Sequence, residues 1–550
     1  MKRIFSNMGR FSFLFLCLFI LFTFARPAAA DFKLTETLSL KWHADNMDGV
    51  DKNDDYFDIK NRINVLFIEQ WIETSLRLDT MTILDYDAET PEAPVGREYT
   101  DDYRVERIGA VLKPVQGLKV NLGDFYAQLG KGILLSLRKV DEFGMETALR
   151  GAKVDYTYKI VSFSVLGGVT NINNIDEQDN YFNEDPMDRV VGTRVSIRPH
   201  RRVKLQVHGL LLNWQEEKFQ ETFSPMAYGT GLMLEANLWP GKLTAEAEFD
   251  VLWRQKVTLD DATGTPGLNE YQRGEAAYLN VHGTFGPVSL LLEGKWYEDF
   301  LITGSKVGDT TITYNQAPTT ERSDQEVHAD WNVYGGRFKA DWRIFENLSI
   351  YANLSGGDYA PLTHVADGDD SKRLAYYLHT YAGLQMFWNS GLSELSVSGG
   401  YRREMEPKKS FVPEEDVEGW DKKVELYHVE AKLLYYVSSG WSIYYSLLHE
   451  SWGRKLAVDF VNYSRGTQII GVNLSGVMSL AAAFEYDTEL LKSPFKRNLY
   501  GWLQAKFYPA ESLVLVMKGG LERGGLKCVS GVCKNVPPFA GFKLDVIYRY

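Results

Sequence analysis

The sequence predicts an all-β fold. It reads as a transmembrane, up-and-down, antiparallel β-barrel of about 24 strands, within a range of roughly 22 to 26, behind a cleaved signal peptide. Three observations predict it. Strand-length segments from Phe32 onward set apolar side chains against polar ones with a period of two. The connections between them alternate tight turns with long polar loops. The last segment ends its apolar face in two aromatic residues, Tyr548 and Tyr550. Composition agrees: 45% of the 550 residues are hydrophobic and 13% aromatic. No stretch beyond the leader reaches the roughly 18 consecutive apolar residues of a spanning helix.

Residues 1–30 have the parts of a secretory leader. Lys2, Arg3 and Arg10 form a basic start, Phe11 to Phe24 an apolar run, and Ala28-Ala29-Ala30 a small-residue cleavage site before Asp31. The run is shorter than the roughly 20 residues of a membrane anchor. Leu16 precedes Cys17 where a lipoprotein leader needs a small residue. The expected organisation is a signal peptide over 1–30 and a single barrel over 31–550. Formal net charge is −13, and removing Lys2, Arg3, Arg10 and Arg26 takes it to −17. Such acidity argues against a nucleic-acid partner.

The strands follow. Val191, Thr193, Val195 and Ile197 share one face, and Gly192, Arg194, Ser196 and Arg198 the other. After a tight turn, Val203, Leu205, Val207 and Leu211 oppose Arg202, Lys204, Gln206 and His208. Val288, Leu290, Leu292 and Trp296 oppose Ser289, Glu293, Lys295 and Tyr297. Charge on one face is tolerable when the other meets lipid and the charged one meets a wet lumen. Segments 373–388 and 422–437 are less clean, because Tyr376-Tyr377 and Tyr435-Tyr436 put rings on both faces.

Turn chemistry marks the short connections: Lys113 to Gly117, Pro199-His200-Arg201, Pro240-Gly241, Gly286-Pro287, Asn389 to Gly391, Ser438 to Gly440 and Pro509 to Glu511. The long ones are polar and acidic: 44–54, 86–100, 171–185, 257–269, 304–328, 360–372 and 404–418. Segregation of loop lengths is expected when short turns face the periplasm and long loops face outside.

In the closing segment Phe542, Leu544, Val546, Tyr548 and Tyr550 oppose Gly541, Lys543, Asp545, Ile547 and Arg549. This resembles the closing strand of bacterial outer-membrane barrels. The resemblance implies an outer-membrane location, contact with outer-membrane lipid and lipopolysaccharide, and recognition of the C-terminal strand by the barrel-assembly machinery.

The most distinctive stretch is Gly123 to Gly151, in the third long-loop position. Gly130 and Gly132 permit backbone angles closed to other residues and let the chain bend sharply. A third loop folded inward around 126–149 would narrow the lumen, with Gly130, Lys131, Gly132, Arg138, Lys139 and Arg150 as constriction residues. An ordinary hairpin with a Gly-rich bend is the plainer alternative. Through Gly130-Lys131-Gly132 and Arg150-Gly151 the stretch resembles alginate-export-type barrels and their uncharacterised porin-like relatives. Gly123-Asp124 stands where that pattern has a basic residue and glutamine, so the resemblance does not extend to alginate as solute.

A second candidate is a basic lumenal wall of Arg194, Arg198, Arg202, Lys204 and His208 near the periplasmic mouth, able to favour anions. The alternative is that these residues pair with lumenal acids such as Glu246, Glu248 and Glu293. Cys528 and Cys533, with four residues between them, are expected to form a small loop disulfide.

Enzymatic chemistry is not expected: no nucleophile elbow, zincin motif or phosphate-cradling glycine loop occurs. Nor is a cofactor, since no Cys-x-x-Cys-His is present, nor a metal, since the cysteine pair lacks two further ligands. Asp45, Asp48, Asp51, Asp54 and Asp55 do not match a calcium loop and read as a solvated surface loop. The expected function is a porin-like channel for passive passage or export of solutes, with a preference for anions. A structural sheath around a periplasmic electron carrier or secreted polymer, and a surface receptor or adhesin displaying its loops, are the alternatives. An energy-coupled transporter is not expected, because no plug segment precedes the first strand. A barrel this wide requires obstruction, from the 123–151 segment or the long acidic loops.

Overall fold

A computed structural model describes residues 31–45, 54–84, 97–98, 101–176, 181–215, 226–259, 266–300, 302, 312–322, 332–359, 375–407, 420–438, 440–456, 459–489, 499–529 and 532–550. The leader and most of the Asp45–Asp55 loop lie outside these residues.

Twenty-five strands share one sheet. One of them, Lys139–Val140, pairs only with Met145–Tyr158. The other 24 run antiparallel, each beside the next in sequence, and form the wall. The first strand, Asp31–Asp45, pairs with the last, Phe539–Arg549, with Leu38 opposite Val546 and Trp42 opposite Phe542. That pairing closes the sheet and leaves it no edge. The wall strands range from Leu118–Phe125 to Pro266–Phe285.

The period-two pattern explains why each segment sits as it does. Val191, Val195 and Ile197 are exposed on the outer face, whereas Val190 and Ser196 of the same strand are buried inside. The next strand repeats this, with Leu205, Val207 and Leu211 outside and Gln206, His208, Leu210 and Leu212 inside. An apolar exterior around a charged interior is stable only with lipid outside and water inside. Rings collect towards both ends of the exterior. Trp42 stacks on Phe57 and Tyr401 lies tilted against Tyr427 near the long loops, while Trp239 meets Phe285 edge-on and Trp388 lies against Tyr435 near the short turns. This is the arrangement of two interfacial girdles. Tyr377 of the less regular segment turns into the lumen and is buried there.

The interior carries a large apolar cluster towards the long-loop end. Each of the twelve consecutive wall strands between residues 118 and 388 contributes at least one residue to it, from Phe125 and Leu149 to Ala375 and Tyr377. Its centre comes from two chain segments that enter the lumen.

Candidate functional site: the lumen and its two inward segments

The first inward segment leaves Leu118–Phe125 and returns in Met145–Tyr158. Ala127–Leu129 pairs with Leu135–Leu137 in a small separate ladder. Gly130 and Gly132 turn the chain between them with φ of 55° and 94°, values that glycine adopts without steric cost. The turn drives Ile133, Leu134 and Leu135 into full burial against the wall. The wall is cut to receive them: a Cβ on Gly229 would lie 2.4 Å from Leu134 Cδ2, so a larger residue there would exclude the leucine.

The second inward segment is 312–322, from a stretch the sequence places among the long loops. It is stitched to the first by backbone bonds: Ser136 N–H donates to Tyr314 O at 2.8 Å, and Gln316 N–H to Gly132 O at 2.9 Å. Tyr314 is wholly buried and donates its hydroxyl to Asp188 at 2.6 Å. Burial, then that carboxylate, raises the Tyr314 pKa well above its ordinary value and keeps the donor protonated. The Thr320 and Tyr377 hydroxyls bond at 2.8 Å. Arg322 reaches further round the wall to grip Glu430 with both terminal guanidinium nitrogens, at 2.5 and 3.1 Å. Glu430 also meets His428, whose other nitrogen lies 3.0 Å from His379.

The sequence-derived constriction residues divide. The Lys131 backbone N–H donates to Glu248 Oε2 at 2.6 Å, and its ammonium pairs with Glu246. Gly130 presses on the same glutamate, since a Cβ there would lie 1.9 Å from Glu248 Oε1. Arg138 is half-buried, and burial lowers its pKa. Lys139 lines a lumenal cavity. Arg150 does not belong with them. Leu149 packs into the interior cluster, so strand alternation turns Arg150 the other way, onto the face of exposed Tyr156 and Tyr158. There it pairs with Asp124 at 3.1 Å. The tight approach around this pair uses glycine: a Cβ on Gly151 would sit 2.1 Å from Gly167 O.

The basic wall is largely neutralised. Lys204 bonds Glu235 at 2.7 Å, Arg194 lies 3.7 Å from Asp155, and His208 Nε2 is 2.7 Å from Asp250 Oδ1 and 3.5 Å from Glu248 Oε1. Arg198 and Arg202 sit exposed at the short-turn rim. Alternation had put these cations on one face correctly, but their acids come from neighbouring strands. Asp155 and Asp250, in particular, were not singled out by sequence.

A denser charge network lines the wall nearer the first strand. Arg77 bonds Asp79 at 2.6 Å and Glu146 at 2.5 Å, Arg62 reaches Asp79 at 2.9 Å, and Arg107 reaches Glu146 at 2.8 Å. Tyr126 adds its hydroxyl to Glu146. Removing one partner of such a buried set typically costs about 3–5 kcal/mol, because the rest are left uncompensated. Beside the network lies a cavity of about 340 Å³. Lys41, Lys60, Arg62, Arg77, Lys139 and Lys543 line it against Glu142, Glu146 and Asp545. No motif in the sequence marks it, because its residues come from distant strands.

The backbone of Gly525–Val529 pairs with Val532–Val536 as a hairpin apart from the wall, and its register sets Cys528 opposite Cys533.

No family model matches the chain, and no curated protein matches it. Solved structures do. The ferric enterobactin receptor (PfeA) aligns over 96% of this chain and 82% of its own at 8% identity, with a TM-score of 0.50. The siderophore receptor PirA from Pseudomonas aeruginosa aligns over 96% and 81% at 8% identity, TM-score 0.48. OccK5 (OpdH) from Pseudomonas aeruginosa aligns over 70% and 94% at 10% identity, TM-score 0.39. At such identity the likeness to the enterobactin receptor concerns fold alone. With its closed wall, apolar exterior and paired girdles, the chain has the fold of a transmembrane outer-membrane β-barrel.

Proposed function

We propose that this chain passes polar solutes through the outer membrane by an off-centre channel and performs no chemistry of its own. One observation carries the reading. The apolar cluster around the two inward segments draws on twelve consecutive strands, while the lumenal faces of the remaining strands, which Arg322 reaches through Glu430, carry charged side chains such as Arg402, Glu404, Arg465, Asp487, Lys543 and Asp545. A filled side beside a charged side suits small hydrated solutes better than a sheath around a folded carrier. The 340 Å³ cavity supports a modest preference for anions: six cations and three acids line it, and Asp58 and Asp79, which pair with Lys41, Lys60, Arg62 and Arg77, bring the balance to six against five. In this reading the wall of Lys41, Lys60 and Lys543 favours anions, rather than that of Arg194 to His208. The partners in this reading are lipid and lipopolysaccharide around the girdles, with the barrel-assembly machinery engaging the closing strand.

Planar-bilayer recording of the refolded protein tests this. The expected result is a steady conductance whose reversal potential in a salt gradient indicates anion preference. Lys41→Gln, Lys139→Gln and Lys543→Gln together should shift it towards cations. A folded barrel without conductance would overturn the channel reading, and an unmoved reversal potential would overturn the role of this cavity.

A further inference from the structure

His208, Glu248 and Asp250 meet where the first inward segment touches the wall. Strand register brings them together: His208 lies opposite Gly231, and Gly231 opposite Asp250. All three are at least nine-tenths buried, with relative exposures of 2%, 3% and 0%. Their ligand atoms lie within 4.8 Å of one another. Two glycines hold the space open. A Cβ on Gly231 would lie 1.7 Å from Asp250 Oδ1 and 2.4 Å from His208 Nε2, and one on Gly130 would strike Glu248.

As carboxylates, Glu248 and Asp250 lack a hydrogen-bond donor for two of their four oxygens. Glu248 Oε2 accepts the Lys131 N–H and Asp250 Oδ1 meets His208, but Glu248 Oε1 and Asp250 Oδ2 are buried without a hydrogen-bond partner. A buried carboxylate oxygen left bare is costly. The ammonium docked beside the cluster, that of Lys131, goes to Glu246. Two carboxylates therefore share a buried pocket with one imidazole.

We propose that these three side chains bind one divalent transition-metal ion of the zinc type beneath the Gly130–Lys131 turn. One imidazole and two carboxylates form a borderline donor set of that class, and a fourth position remains for water. Ligand atoms around a tetrahedral zinc lie roughly 3.3–3.5 Å apart, given bonds of about 2.0–2.2 Å. The 3.5 Å from His208 Nε2 to Glu248 Oε1 fits as it stands, and the 2.7 Å to Asp250 Oδ1 opens by a small side-chain rotation. Gln206 lies 3.4 Å from His208 Nδ1. With its amide turned to present oxygen, it accepts the Nδ1 proton and leaves Nε2 for the metal. Because Glu248 also holds the Lys131 backbone, the ion orders the wall residue on which the inward segment rests. The site stands independently of what the barrel transports.

The test uses the full mature chain refolded in detergent, stripped with chelator, and equilibrated with Zn(II) or Co(II) before gel filtration. The expected result is one zinc per barrel and visible d–d absorption from cobalt of low coordination number. His208→Gln and Asp250→Asn should each weaken binding by more than the roughly tenfold that loss of an outer partner costs. His282→Gln, which removes an exposed histidine elsewhere on the inner face, should leave binding intact. If a ligand variant fails to fold, the wild-type stoichiometry and cobalt spectrum decide alone. Equal zinc in wild type and Asp250→Asn would mean adventitious binding and overturn the proposal. Metal-free wild type with an infrared carboxylic-acid band lost in Asp250→Asn would assign the pair a shared proton instead, and overturn it equally.

Discussion

At the scale of single residues, space decides more than charge. Gly130 has a φ of 55° and faces Glu248 at a distance no Cβ survives. Gly130→Val combines a strained backbone with that clash, a cost of about 1–3 kcal/mol each for strain and overpacking. The expected outcome is release of the Lys131 turn from Glu246 and Glu248, with the barrel intact and single-channel conductance raised. Unchanged conductance in a folded variant would show that this contact does not hold the segment in place. The same scale explains why a basic wall read from sequence became a set of ion pairs. Alternation assigns Arg194, Lys204 and His208 to the lumen, but it is silent about the residue across the ladder. Asp155, Glu235 and Asp250 approach only when the strands are placed side by side.

At the scale of elements, turns and strands were legible and the second inward segment was not. Pro240-Gly241 and Gly286-Pro287 are turns because Gly241 and Gly286 have φ of 72° and 62°. Segment 312–322 carries Ile312, Tyr314 and Ala317 in an otherwise polar loop, a weak signal that the interior cluster makes meaningful. The Cys528 hairpin allows a sharp prediction. Opposite positions in an antiparallel pair put Cα atoms about 4.5–5.5 Å apart, within the reach of a disulfide. Mass spectrometry of envelope-purified protein should find Cys528 and Cys533 bridged. Reduction should cost the hairpin about 2 kcal/mol on the chain-entropy argument and leave the barrel unchanged. Two free thiols would refute the bridge.

At the scale of the whole molecule, closure of the first strand on the last removes every edge from the wall. Opening such a barrel must break a full ladder at once, so the protein should keep its compact mobility in detergent gels until heated. Sequencing of the envelope form should begin at Asp31, and recovery as soluble periplasmic protein would contradict the barrel. The sequence by itself determined the strands, their two faces, the alternation of connections and the aromatic closing edge. Each of these is a local pattern, set by side-chain period and turn chemistry. Only the tertiary structure decided which lumenal charges are compensated, that Arg150 faces outward, that 312–322 joins 126–144 inside, and that His208, Glu248 and Asp250 converge under a glycine turn. The physical reason is distance along the chain. A lumenal site draws its residues from many strands, and their meeting is set by register and closure of the sheet, which no single segment encodes.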